Sequence, residues 1–105
     1  MPATLSLLQT ASVTARHAGH VHAVAADNIA RADVPGATAR RAVSFAKAAE
    51  RLRGGQELAA ADSGAAIALD REMTAMAANA GRHDAATLLF AKTLDMLRLA
   101  GSPPR

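Results

Sequence analysis

The chain has 105 residues, enough for one small domain or one assembly module but not for two independent cores. Half of it is apolar by count, yet 29 of those residues are Ala, only 20 are Leu, Ile, Val or Phe, and Trp and Tyr are missing, which excludes a thick core. A net charge of +3 and this apolar content do not fit the signature of disorder, and the Ala and Leu richness favours long helices. With no Cys there are no disulfides, zinc-thiolate sites or thiol chemistry.

No run of about 18 apolar residues occurs, and the N-terminus has neither a basic stretch nor an apolar leader block. The chain is therefore expected to have no transmembrane segment and no cleaved signal peptide. The charge is local. Residues 1–33 balance Arg16 and Arg31 against Asp27 and Asp33, residues 59–105 are also neutral, and the whole excess comes from Arg40, Arg41, Lys47, Arg51 and Arg53 against Glu50 and Glu57. With no recognition helix or stacking aromatics beside it, this patch reads as a solvated basic helix, and no nucleic-acid partner is expected.

Leu5 to Asp33 reads as one helix within an N-terminal segment, 1–33. Ser6 and Gln9 have capping-box spacing, and Val34-Pro35-Gly36 stops it because the residue before proline avoids helical angles. Leu5, Leu8, Ser12, Ala15, Gly19, His22, Ala26 and Ile29 recur at three and four residues, a seam with small residues in its middle that a neighbouring backbone could approach.

A connector, 34–64, follows. Pro35 to Arg41 should be extended, Ser44 should cap a short basic helix through Arg53, Gly54-Gly55 should stop it, and Gln56 to Gly64 reads as an irregular Ala-rich return. The C-terminal segment, 65–105, has the clearest period in the sequence: Leu69, Met73, Met76, Ala80, His83, Thr87, Phe90, Leu94 and Leu97, a coiled-coil seam. Asp62 or Ser63 could cap this helix, Asp70 and Glu72 suit its positive end, and Gly101 with Pro103 and Pro104 closes it. Lengths of about 43 Å and about 54 Å let the two long helices pair.

The expected fold class is therefore all-α, an antiparallel coiled coil of the two terminal helices with a short, partly extended basic connector, acting as one assembly domain. Val13, Val21 and Val24 fall off the first seam and Leu88, Leu89, Met96 and Leu99 off the second, and such spare apolar stripes argue for lateral packing against other chains. The competing architecture is a monomeric bundle closed by the 44–53 helix.

Site chemistry is sparse. His17 and His20 share a helix face, but His22 is rotated about 140° from His17, so the reading is exposed histidines on a polar face with no metal and no cofactor. His83 falls in the seam and reads as a packed histidine. Gly54-Gly55 lacks the following Gly-Lys-Ser/Thr of a phosphate loop, Asp70 and Glu72 point in different directions, and no nucleophile, base and orienting group assemble. The chain is not expected to be an enzyme.

The stretch Val24 to Gly36 resembles the signature of the bacterial flagellar rod and hook axial proteins, N-I-A-N-x-x-T-P-G-Y. Asn28, Ile29, Ala30, Pro35 and Gly36 match, while Arg31, Val34 and Ala37 stand where the signature has Asn, Thr and Tyr. Leu69 to Met73, Ala78-Asn79, Leu88-Leu89, Lys92 and Met96-Leu97-Arg98 look like the proximal rod members in particular, and Arg40 and Val43-Ser44-Phe45 resemble the segment after the family's Pro-Gly-Tyr. Asp62-Ser63-Gly64 lacks the family's Gly-Asn-Asn run.

The resemblance implies a structural subunit of the flagellar basal body, exported by the flagellar type III apparatus to the periplasmic rod and supporting motility. Its partners would be itself, other rod proteins and the membrane-ring adaptor. The assembly interface would then be carried by Leu5, Leu8, Asn28, Ile29, Pro35 and Gly36 at one end and by Leu69, Met73, Met76, Phe90, Leu94 and Leu97 along the C-terminal seam. The alternative from another class is a helical-hairpin adaptor, secreted or cytosolic, that binds one partner.

Overall fold

Proline is tolerated in the first turn of a helix, where its missing N–H has no partner to lose. The first helix of the computed structural model, which describes residues 2–101, accordingly starts at Pro2 and runs to Ala30 (α1). Ser6 lies inside α1 with its carbonyl accepting the Thr10 hydroxyl at 2.9 Å, so the expected Ser6–Gln9 capping box does not form.

α1 stops three residues before the expected Asp33. The Arg31 N–H is shared between the Asp27 and Asn28 carbonyls at 3.2 and 3.1 Å, and Ala32 and Val34 then bond three residues back, a tightening common at helix ends. Val34-Pro35-Gly36-Ala37 is a type II turn closed by Ala37 N–H to Val34 C=O at 3.1 Å. Its third position needs a positive φ, which Gly36 supplies at 78°.

A strand Thr38–Arg41 (β1) leads to a helix Phe45–Arg53 (α2). Ser44 caps α2 as expected, its hydroxyl accepting the Lys47 N–H at 3.3 Å, and Gly54-Gly55 ends it, with Gly55 at φ 73°. The expected irregular return instead contains a second strand, Ala61–Ala66 (β2), antiparallel to β1 with Thr38 opposite Ala66 and Arg40 opposite Asp62.

Side chains hold this Ala-rich pairing where β-propensity is poor. The Thr38 hydroxyl donates to Asp62 Oδ1 at 2.7 Å and the Ser63 hydroxyl to the Ala39 carbonyl. Asp62 and Ser63 are thus strand residues and not helix caps. The fold is mostly helical but not purely all-α.

The last helix, Leu69–Gly101 (α3), opens with Asp70 and Glu72 in its first turn, where carboxylates suit the positive end of the dipole. Pro103 and Pro104, expected to follow its end, lie outside the described residues. The β1–β2 pair returns the chain beside the end of α1, so α3 runs back along α1 in the opposite sense. Asn79, ten residues into α3, donates to the carbonyl of Ala18, twelve residues from the end of α1, at 2.6 Å.

The residues between these helices are small. Ala11, Ala18 and Ala25 on α1 and Asn79, Ala86 and Thr93 on α3 are buried, each set at a seven-residue interval. This corrects the register read from the sequence: three positions of each expected seam are replaced at the closest contact by their neighbours. Ser12, Gly19 and Ala26 give way to Ala11, Ala18 and Ala25, while Ala80, Thr87 and Leu94 give way to Asn79, Ala86 and Thr93. Large apolar side chains flank the contact, and no Leu, Ile, Val, Phe or Met is fully buried among the described residues.

The physical reason is distance. Alanines let two backbones approach until an Asn amide on one reaches a carbonyl of the other, which a row of leucines would hold apart. The molecule is correspondingly thin, 66 × 26 × 15 Å, with a radius of gyration of 17.2 Å. About 13 Å is usual for a compact domain of this length.

Enlarging Ala18 should be far costlier than changing its neighbour. Ala18→Leu overpacks the seam and should destabilise by about 1–3 kcal/mol. Gly19, where an added Cβ meets nothing within 4 Å, should accept Ala with a gain of up to about 1 kcal/mol from helix propensity. Urea unfolding followed by circular dichroism checks this, and the reverse ranking would restore the register read from the sequence.

Candidate assembly interface

Three features stand out around this seam: a joint at the end of α1, a clamp on the connector, and the outer faces of the helices.

The joint is built on Asn28, which is 1% exposed. Its amide nitrogen donates to the Arg40 carbonyl at 3.0 Å and its amide oxygen accepts the Arg40 N–H at 2.8 Å, so one side chain takes both backbone groups of a β1 residue. Arg31 completes the arrangement with Nε on Asp27 at 3.0 Å, one terminal nitrogen on the Thr38 carbonyl at 3.0 Å and the other on Asn28 Oδ1 at 2.9 Å. Asp27 also faces the Arg40 guanidinium at 3.6 Å. An edge strand is thereby closed by side chains of the helix before it.

Asp62, across the ladder, has its carboxyl pKa lowered, chiefly by the Gly64 N–H and then by the Thr38 hydroxyl. Among the described residues every buried side-chain nitrogen or oxygen has a hydrogen-bond partner.

The clamp consists of His17 and His20. His17 Nε2 lies 2.7 Å from the Val43 carbonyl and must donate to it, while His20 Nε2 accepts the Val43 N–H at 2.9 Å. The two imidazoles therefore carry different tautomers and hold one peptide residue from both sides. The His17 ring also meets Phe45 edge-on, with centroids 5.6 Å apart. This corrects the reading of exposed histidines on a polar face: both are half-buried and bonded to the connector. His83, expected to pack in the seam, is exposed, with Asp84 3.9 Å away. No group of three metal-binding side chains occurs among the described residues.

The residues expected at the interface are distributed unevenly. Asn28 is buried in the joint, Leu8, Ile29, Met76, Phe90, Leu94 and Leu97 are half-buried along the seam, and Leu5, Pro35, Gly36, Leu69 and Met73 are exposed. Leu88, Leu89, Met96 and Leu99, expected to lie off the seam, are exposed, Leu99 at 76%. Val13 and Leu52 line a groove of about 540 Å³ between α1 and α2. No helix among the described residues is long and apolar enough to cross a membrane.

Sequence reasoning missed Asn79 and Thr93, whose burial depends on the close approach of α1. The seven-residue recurrence of Ala11, Ala18 and Ala25 was the available signal, diluted by 29 alanines. No protein-family model matches the chain, and neither a curated protein nor a solved structure matches it.

Two predictions follow from the joint and the clamp. Asn28→Ala leaves the Arg40 N–H and C=O without their partner and should cost about 1–3 kcal/mol. Asn28→Asp keeps an acceptor for the N–H but sets a carboxylate against the carbonyl, and should cost a similar amount. Denaturant unfolding measures both, and a neutral Asn28→Ala would show that the joint contributes nothing.

The His20 pKa is lowered from 6.5 by burial first and by the neighbouring His17 second. An imidazole held neutral in the folded state contributes stability that is complete above 6.5 and is lost as pH falls through the lowered folded value, because the unfolded chain takes up the proton first. The imidazolium cannot accept the Val43 N–H. Amide hydrogen exchange at Val43, corrected for its intrinsic pH dependence, should lose protection below pH 6.5 in the native chain, and His20→Phe should remove that dependence.

Proposed function

We propose that this chain is a structural, non-enzymatic subunit of the bacterial flagellar basal-body rod, of the proximal-rod type. It would leave the cytoplasm through the flagellar type III apparatus and take its place in the periplasmic rod between the membrane-ring adaptor and the next rod proteins. The paired terminal helices would act as a coiled-coil stave of the drive shaft, stiff along its length and sharing its outer apolar faces with neighbouring staves.

One observation carries this reading. The residues that resemble the axial-protein signature form a mechanical joint: Asn28 locks the end of α1 to β1, and Pro35-Gly36 makes the turn between them. A second support is the thinness of the subunit, which among the described residues has a core of five buried alanines and leaves ten large apolar residues exposed for neighbours to cover. The groove between α1 and α2 favours a second reading, a helical-hairpin adaptor that seats one partner helix.

Deleting the gene should abolish swimming, and the chain should co-purify with isolated basal bodies. Complementation with Thr93→Arg, which forces a charge into the seam, should fail to restore motility although the protein is made. Normal swimming of the deletion strain, or recovery of the chain only in a one-to-one complex with a single partner, would replace the rod reading with the adaptor.

A further inference from the structure

The groove and the outer face of α3 are complementary. The groove has an apolar floor of Val13, Phe45 and Leu52 and is bordered by Arg16 and Arg53, with no acidic residue in its lining. Both arginines are exposed, and neither takes part in an ion pair among the described residues. They mark opposite ends. Arg16 precedes His17, whose ring rests on Phe45, the first residue of α2, whereas Arg53 is the last residue of α2. Along a nine-residue helix these ends lie about 12 Å apart.

On α3, Asp84, Leu88, Ala91, Asp95 and Leu99 fall within about 80° of one another around the helix, about 180° from the seam of Asn79, Ala86 and Thr93. All five are exposed, Leu88 at 60% and Leu99 at 76%. The stripe thus alternates carboxylate and leucine, with Lys92 and Arg98 flanking it on either side. Asp84 and Asp95 are about 16 Å apart along the axis, and the reach of two arginine side chains covers the difference from the groove. Among the described residues each aspartate has a weak, exposed contact of its own, with His83 at 3.9 Å and with Arg98 at 3.6 Å.

We infer that the α1–α2 groove of one chain binds the Asp84–Leu88–Asp95–Leu99 stripe of a second copy, Arg16 and Arg53 pairing with the two aspartates while Leu88 and the groove's Val13, Phe45 and Leu52 lose water together. The groove and the stripe lie on different faces, so one chain uses both at once. The contact is head-to-tail and propagates, unlike a two-fold contact that closes on itself. It deepens the rod reading and rests on it only in that the chain packs against copies of itself.

Sedimentation of the full chain and three variants tests this. The native chain should form species larger than a dimer as concentration rises. Arg16→Glu with Arg53→Glu, and separately Asp84→Arg with Asp95→Arg, should each weaken self-association by about tenfold or more while keeping native helicity. An equimolar mixture of the two variants should assemble again as an alternating copolymer, since each native groove meets a native stripe and each Glu-bearing groove meets an Arg-bearing stripe. The chain carrying all four changes should assemble again.

A native chain that stays monomeric overturns both this contact and the self-assembly behind it. Assembly undiminished in either double variant, or a mixture that stays monomeric, overturns the groove–stripe contact and leaves self-assembly standing.

Discussion

The close approach of α1 and α3 through alanines is the constraint on which the rest of the structure depends. With Ala11, Ala18 and Ala25 at the contact, α1 comes near enough for the Asn79 amide to reach the Ala18 carbonyl, and Thr93 can sit in the seam because its hydroxyl turns back to Leu89 at 2.8 Å. Close backbones gain dispersion along their whole length, but they leave no room between them for the leucines, which line the edges. The outer apolar surface is a consequence of how the inner surface is made. A chain with this seam is stable as a slender pair and incomplete at its flanks.

The same economy of apolar bulk explains why polar side chains hold the connector. Between the turn at Pro35-Gly36 and the start of α3, only Val43, Phe45, Leu52, Leu58 and Ile67 are large and apolar. Asn28, Arg31, His17 and His20 supply directional bonds to Arg40, Thr38 and Val43 instead. Directional bonds fix position more tightly than contact between small apolar groups, and they make the joint sensitive to single-atom changes.

Much of this was legible in the sequence. The two long helices, the helix stop at Val34-Pro35-Gly36, the Ser44 cap and the Gly54-Gly55 stop are local signals, each decided by residues within a few positions of one another, whereas Pro35 and Gly36, expected to be extended, form a turn. The seam register was legible only in part, because alanine fits either side of a helix contact and the bulky residues that usually disclose the buried face stand at its margins here. β2 was not legible at all. Ala61 to Ala66 has little strand propensity and pairs because Thr38 and Ala39 are brought within hydrogen-bonding reach of Asp62 and Ser63. The two histidines were noticed for their spacing, but their partner is a backbone group 23 and 26 residues away, which no local pattern announces.

The bond from Asn79 to Ala18 spans 61 positions of chain, and the seam it belongs to joins the first thirty residues to the last thirty. During synthesis α1 therefore has no mate until α3 has left the ribosome. Without α3 the apolar face of α1 stays in water, and most helical stability in proteins comes from packing such a face. The nascent chain stays pliable until α3 has emerged, and its architecture closes in a single late step when the two long helices meet. Anything that held α1 or α3 apart from its mate would keep the pair open, so access to these two helices governs when the chain folds.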